Sequence, residues 1–405
     1  MVTTATLATF LVAAIASLFM AWAIGAGSSG STPFAAAVGA NAISVMRAGF
    51  VVGLLGFLGA VLQGANVTEA VGTELVANTT LTAPAVIVAL LVAATLVALG
   101  VFAGYPIATA FTVTGAVVGA GLALGGDPAW AKYREIGALW VLTPFVGGGI
   151  AFSTAKFLRD ERVPERLAVP FLAGLVGAIV VNINFAILPG PAGSGSITGT
   201  VVRLTVGVDP DPTVLLGIRL AATLVLSALV VVALAYEMAD DEARGQQRFL
   251  LVLGALVAFS AGGSQVGLAI GPLVPLLGDF SVPLPAVLAG GGLGLLAGSW
   301  TGAPRMIKAL AQDYSSLGPR RSIAAMIPSF AIAQTAVAFG IPVSFNEIIV
   351  SAIIGSGYAA VSEEGGGGVS AAKMGYTVLA WLGSLALAFG LSYGVFVLVD
   401  RLLLG

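Results

Sequence analysis

Long apolar runs separated by short polar breaks make up almost the whole chain. Runs of roughly helix-crossing length recur near 5–25, 44–64, 83–103, 106–126, 137–157, 167–188, 213–236, 248–268, 283–300, 323–340, 342–362 and 375–399. A helix needs about 20 apolar residues to cross a bilayer. The pattern therefore predicts an all-α integral membrane protein with about twelve transmembrane segments. The first run, Ala5 to Ile24, is long for a signal peptide and lacks a basic leader, so it is read as a retained span. Several runs are rich in glycine or open at a proline, which points to broken helices or re-entrant hairpins. Two breaks stand out, "GAGSSGSTPF" (Gly25 to Phe34) and "GGSQVGLAIGP" (Gly262 to Pro272).

The runs repeat. "GYPIATAFTVTGAVVGAG" (Gly104 to Gly121) aligns with "GIPVSFNEIIVSAIIGSG" (Gly340 to Gly357), matching Pro106 with Pro342, Ala116 with Ala352 and Gly119 with Gly355 at one spacing of 236 residues. Gly25 and Gly262 stand 237 apart. Residues 1–160 and 247–405 are thus expected to be two copies of a five-span unit, with 161–246 a two-span insert. Basic residues orient them. The segment 301–321 carries Arg305, Lys308, Arg320 and Arg321, whereas its counterpart 65–82 has no Lys or Arg. Short basic loops stay in the cytoplasm. The second unit is then inverted relative to the first, and both termini are expected outside. The sequons at Asn66 and Asn78 fall in the same outward segment.

Composition narrows the chemistry. Of 405 residues, 58% are hydrophobic and 9% charged, against about 25% charged in soluble domains. The bilayer must be part of the solvent. A net charge of −2 leaves no basic footprint for nucleic acid. Cysteine and histidine are both absent, which removes disulfides, thiol chemistry and the usual metal and proton-shuttle ligands. No HExxH or GxSxG motif occurs, so no enzyme and no cofactor are expected.

Inverted repeats with interrupted helices are the architecture of many secondary transporters, whose sites lie between the repeats at the midplane. A helix N-terminus left at such a break points amides and a positive dipole end at an anion. Serine and threonine hydroxyls there add further donors. The composition of the two breaks suits an oxyanion.

At these residues the chain resembles the inorganic phosphate transporter (PiT) family, which carries a twofold GANDVANAxGP-like signature. The second copy reads "FSAGGSQVGLAIGPLV" (Phe259 to Val274) and the first "AIGAGSSGSTPFAAAVGA" (Ala23 to Ala40). The family's GxPVSTTHxxVGAxxGxG-like element is similar to Gly104–Gly121 and Gly340–Gly357, and its middle segment to Gly290–Ser322. The resemblance implies cation-coupled uptake of an inorganic anion through twelve spans. It also marks departures: the signature aspartates fall on Ser28 and Gln265, and the histidine of the second element on Phe111 and Glu347.

The candidate substrate-binding residues are Ser28, Ser29, Ser31, Thr32, Ser264, Gln265, Thr109 and Ser344. For the serines the competing reading is close helix packing, and for Thr109 and Ser344 it is helix capping. Glu347, with Asn346 beside it, is the candidate cation-coupling site, since intramembrane carboxylates are rare and usually functional; the alternative is a structural ion pair with an arginine. No metal site is expected, and the coupling ion is Na+ or H+. Asn182 and Asn184 read as helix–helix hydrogen bonds. The expected function is symport of a tetrahedral oxyanion by alternating access, with phosphate implied by the resemblance. Sulfate is the alternative, because a site of neutral donors suits an anion with no proton to give. A passive anion channel is the alternative of another class. The partners are the anion, a cation and the lipid bilayer, with a homodimer left open.

Overall fold

The computed structural model describes residues 3–190, 194–206, 211–313, 318–364 and 371–404. It is almost entirely helical. Helix α1 (Thr4–Ile24) passes into a π-helical turn (Gly25–Ser29) and a short α2 (Ala35–Gly39). Then come α3 (Val45–Gln63), α4 (Ala65–Thr73), α5 (Ala83–Ala103), α6 (Thr109–Ala123) and α7 (Trp130–Phe157). Three helices follow: α8 (Glu165–Val180), α9 (Ile197–Val206) and α10 (Pro212–Asp240). The remainder comprises α11 (Glu242–Ile270), α12 (Val274–Leu277), α13 (Leu284–Thr301), α14 (Ala303–Asp313), α15 (Pro319–Phe339), α16 (Phe345–Glu364) and α17 (Ala371–Val399). A two-residue antiparallel pair, β1 (Val76–Ala77) with β2 (Asp127–Pro128), ties two loops together.

Local chemistry sets many of the boundaries. Thr3, Asp211 and Asp241 cap α1, α10 and α11 by accepting from the amides of Thr6, Thr213 and Arg244, the role such side chains play at N-caps. Helices α5 and α15 both end at a glycine in the left-handed region, Gly104 (φ 74°) and Gly340 (φ 61°), where a side chain would be strained.

Among the described residues nine helices are long and apolar enough to cross a membrane, fewer than the twelve expected. Helix α6 has 15 residues and α8 has 16; at 1.5 Å per residue each covers about 22–24 Å, short of a hydrocarbon core of about 30 Å. The stretches opened by Pro106 and Pro342 stay extended until Thr109 and Phe345, so the helices start later than the apolar runs do. The run near 167–188 stops being helical at Val180, and the expected two-span insert carries a further short helix, α9. A correction concerns the break at Gly262. Helix α11 runs unbroken through Gly262 to Ile270, and the interruption falls at the 3-10 turn Gly271–Leu273. Segments read as loops, 65–82 and 301–321, contain α4 and α14. Helix α14 is amphipathic: Met306, Ile307 and Leu310 are buried while Arg305 and Lys308 are exposed.

Packing is reciprocal. Helix α1 packs on α13 as α11 packs on α3; α6 packs on α17 as α16 packs on α7; α5 contacts α1 and α6 as α15 contacts α11 and α16. Glycine permits the closest crossings. A Cβ on Gly25 would lie 2.1 Å from the Leu295 carbonyl oxygen, and one on Gly262 would lie 1.9 Å from that of Gly56. No side chain fits either place. The outer helices α7, α10 and α17 expose Phe145, Leu224, Val232 and Leu379, the surface expected against lipid.

Candidate functional site

The two glycine-bearing segments and the two proline loops converge at one buried place. The π-helical turn after α1 carries Ser28 and Ser29. The extended stretch before α6 delivers Thr109 as that helix's first residue. Helix α11 presents Ser264 and Gln265, and Ser344, Asn346 and Glu347 lie at the start of α16. All of these side chains are at most 2% exposed.

Gln265 is the hub. Its Oε1 accepts from Thr109 Oγ1 at 2.8 Å and from Ser28 Oγ at 3.3 Å. Its Nε2 donates to the Val343 carbonyl at 2.6 Å and reaches Ser264 Oγ only at 3.5 Å. Asn346 ties α16 to the opposite elements: its Nδ2 donates to the carbonyls of Gly27 (3.0 Å) and Ile107 (2.6 Å). Ser31 and Thr32 turn their hydroxyls back onto the Ser28 carbonyl, at 3.2 and 3.0 Å. They satisfy the break locally and do not reach toward Gln265. Thr109 does not cap α6, whose N-cap residue Ala108 has no side-chain bond. The donors of Ser28 and Thr109 thus point at the Gln265 carbonyl oxygen, so the neutral hydroxyls expected to face an anion are already engaged.

Of these site residues, four buried oxygens have no partner: Ser29 Oγ, Ser344 Oγ, Asn346 Oδ1 and Glu347 Oε2. Buried polar atoms are nearly always hydrogen-bonded, and an orphan marks a place that awaits one. Among the described residues Glu347 forms no ion pair with Lys or Arg; the bridges present involve Lys132, Arg166, Arg248 and Arg320. The structural arginine pair weighed for Glu347 is therefore not made. No cluster of three or more metal-type ligands occurs among the described residues.

The sequence reading missed the residues that hold this site in shape. Trp140 Nε1 on α7 donates to the Pro342 carbonyl at 2.8 Å, and Trp381 Nε1 on α17 donates to the Pro106 carbonyl at 3.0 Å. Each tryptophan pins the proline loop of the other half. The only signal was their spacing of 241 residues, close to the 236 of the two proline motifs. A second buried chain was also missed. Gln334 Nε2 donates to Gln63 Oε1 (3.1 Å) and Ser260 Oγ (2.6 Å), and Gln63 Nε2 donates to the Asn184 carbonyl (2.9 Å). Asn182, just past the end of α8, does bridge helices as expected: its Nδ2 donates to Thr223 Oγ1 on α10 at 2.9 Å, and its Oδ1 accepts from Thr198 Oγ1 on α9 at 2.9 Å.

Comparisons with known proteins agree with this architecture. The chain is 26% identical over 375 residues to a "Putative phosphate permease" of Thermococcus kodakarensis, covering 86% of this chain and 88% of that one. It is 27% identical over 378 residues to the chloroplastic "Inorganic phosphate transporter 2-1" of Arabidopsis thaliana, covering 84% and 64%. A solved structure titled "The sodium-dependent phosphate transporter" superposes with a TM-score of 0.79 at 22% identity, over 98% of this chain and all of that one; it shares the fold. The model of the phosphate transporter family matches residues 24–392. With that match over nearly its full length, this multi-pass membrane chain belongs to the phosphate transporter family.

Proposed function

We propose that the chain is a cation-coupled secondary transporter of inorganic phosphate, working by alternating access between two inverted repeats, 1–160 and 247–405, with 161–246 as an insert. One observation carries the reading: residues of both repeats hydrogen-bond to one another at one buried place, and four side-chain oxygens of these same segments are buried without a partner. The full burial of that cluster suits an occluded state.

The inversion has support in side-chain contacts. Arg305 on α14 donates to the Phe102 carbonyl at the end of α5 (3.5 Å), and Arg320 at the start of α15 pairs with Glu165. Asn66 on α4 donates to the Val337 carbonyl at the end of α15 (3.2 Å). Equivalent helices α5 and α15 therefore run in opposite senses between two faces. One face holds the basic segment 156–166 with Arg305 and Arg320, taken as cytoplasmic by its charge. The other holds 65–82.

Phosphate suits the free acceptors better than sulfate does. Phosphate retains a proton near neutral pH and can donate to Asn346 Oδ1 or to a Glu347 oxygen. Sulfate has none to give, and a carboxylate beside it meets only like charge in a low dielectric. Ser29 and Ser344 hydroxyls remain as donors to the anion. Counterflow in proteoliposomes tests the reading: internal unlabelled phosphate should drive transient accumulation of external labelled phosphate. Simple equilibration without overshoot would indicate a channel, and counterflow with sulfate but not phosphate would overturn the substrate.

A further inference from the structure

We propose that Trp140 and Trp381 are positioning residues for the transport step. Each holds one of the two proline loops shut, so that release of Trp381 opens the site to the cytoplasm alone and release of Trp140 opens it to the outside alone. The inference rests on the inverted topology and alternating access read above, and it is independent of which anion is carried.

The loops cannot hold themselves. Residues 105–108 and 341–344 lie outside any helix, each just after a left-handed glycine, Gly104 or Gly340. Proline has no N–H to give. Among the described residues no backbone amide donates to the carbonyls of Pro106, Ile107, Pro342 or Val343. Side chains serve all four. Two of the donors belong to the site itself: Asn346 Nδ2 on Ile107 (2.6 Å) and Gln265 Nε2 on Val343 (2.6 Å). The other two come from the outer helices α17 and α7: Trp381 Nε1 on Pro106 (3.0 Å) and Trp140 Nε1 on Pro342 (2.8 Å). A buried carbonyl that loses its donor favours an arrangement in which water reaches it. The tryptophans therefore act on the site through the loops.

Each loop belongs to one face. The first follows the end of α5, where the Phe102 carbonyl accepts from Arg305 on the face taken as cytoplasmic. Tyr105 at its mouth is 70% exposed, whereas Ala108 at its inner end is fully buried. Ala108 belongs to an apolar cluster with Phe111, Met306, Leu310, Val350 and Trp381. Trp381 thus supplies both a wall of this seal and the donor that fixes the loop against it. The second loop follows the end of α15, where Asn66 of the segment 65–82 donates to the Val337 carbonyl. Its inner residue Val343 is fully buried in a cluster with Ile332, Ala336 and Ile348, against which Leu139, the neighbour of Trp140, also packs. The two loops cover one site from opposite sides, and each has its own indole.

Phenylalanine removes the N–H and keeps an aromatic ring. At position 140 it can keep the stack on Phe111, whose ring centroid lies 3.8 Å from that of Trp140. The test uses the full chain in sealed vesicles of known orientation. Ser29→Cys is the reporter, in a chain with no native cysteine, and an impermeant thiol reagent is added to one side at a time. Loss of one buried hydrogen bond shifts a closed–open balance by about 5- to 150-fold. Adding Trp381→Phe should speed labelling by a factor in that range from the cytoplasmic side and leave the outside rate unchanged. Trp140→Phe should do the reverse. Trp300→Phe is the control for general loosening: it removes an indole bond to the Phe50 carbonyl (3.2 Å) away from the site and should change neither rate. Acceleration from both sides or from the wrong side, no acceleration by either substitution, or equal acceleration by Trp300→Phe would overturn the proposal. Labelling needs no substrate, so absence of phosphate counterflow beside intact one-sided labelling would overturn the phosphate reading and leave the two positioning roles standing.

Discussion

Replacing Asn346 by alanine should open the occluded site. Its amide is the tie from α16 to both the π-helical turn and the first proline loop, through bonds of 3.0 Å to Gly27 and 2.6 Å to Ile107. Alanine leaves the buried Gly27 carbonyl and the part-buried Ile107 carbonyl without a donor. An unmet buried group costs about 1–3 kcal/mol and a part-buried one less, so the closed arrangement should lose about 2–4 kcal/mol. An open arrangement, in which water reaches those oxygens, bears none of that cost. At about 1.4 kcal/mol per factor of ten, even the low end shifts the closed–open balance by roughly thirtyfold. The chain has no native cysteine, so Ser29→Cys gives a clean reporter. It should react slowly with a water-soluble thiol reagent in an otherwise native chain. Adding Asn346→Ala should speed the reaction by roughly the same thirtyfold. Ala93→Cys, fully buried on α5, should stay unreactive in both, which separates opening of the site from global unfolding. Equal reaction rates of the Ser29→Cys thiol with and without Asn346→Ala would refute the reasoning.

Two further outcomes follow from packing and charge. Gly25→Ala and Gly262→Ala each place a Cβ about 2 Å from a backbone carbonyl oxygen, so helices must separate; a loss of about 1–3 kcal/mol or more should appear as a lower melting temperature in detergent, whereas Gly137→Ala, with nothing within 4 Å, should melt like wild type. Single cysteines in 65–82 and in 301–321 should react with an impermeant reagent from opposite sides of the membrane, and labelling of both from one side would remove the inverted arrangement.

Much of the architecture was legible in the residues themselves because hydrophobic length and repeat spacing are properties of the chain in order. The apolar runs located nearly every long helix, and the constant spacing of Pro106 with Pro342 anticipated two loops of matching form. The same runs overstated the length of some helices. Hydropathy has no term for the geometry of a proline-led extended stretch, so α6 and α16 start later than their apolar residues do. Glycine at 262 looked like a helix break for a related reason. Its small size serves the crossing with Gly56, and that need is visible only when α3 is in place.

The candidate site divides in the same way. Residue type together with the family-like motifs singled out Ser28, Thr109, Gln265, Asn346 and Glu347, since polar groups inside a bilayer are costly unless they have work to do. Sequence order could not say who pairs with whom. That Gln265 takes the hydroxyl hydrogens of Ser28 and Thr109, that Asn346 plugs two carbonyls of the opposite half, and that Trp140 and Trp381 pin the loops depends on groups as much as 319 residues apart meeting within 3 Å or so. Hydrogen bonds are decided by such distances. The chain therefore determined which groups enter the membrane, and only the tertiary structure decided which of them are satisfied and which, like Glu347 Oε2, are left without a partner.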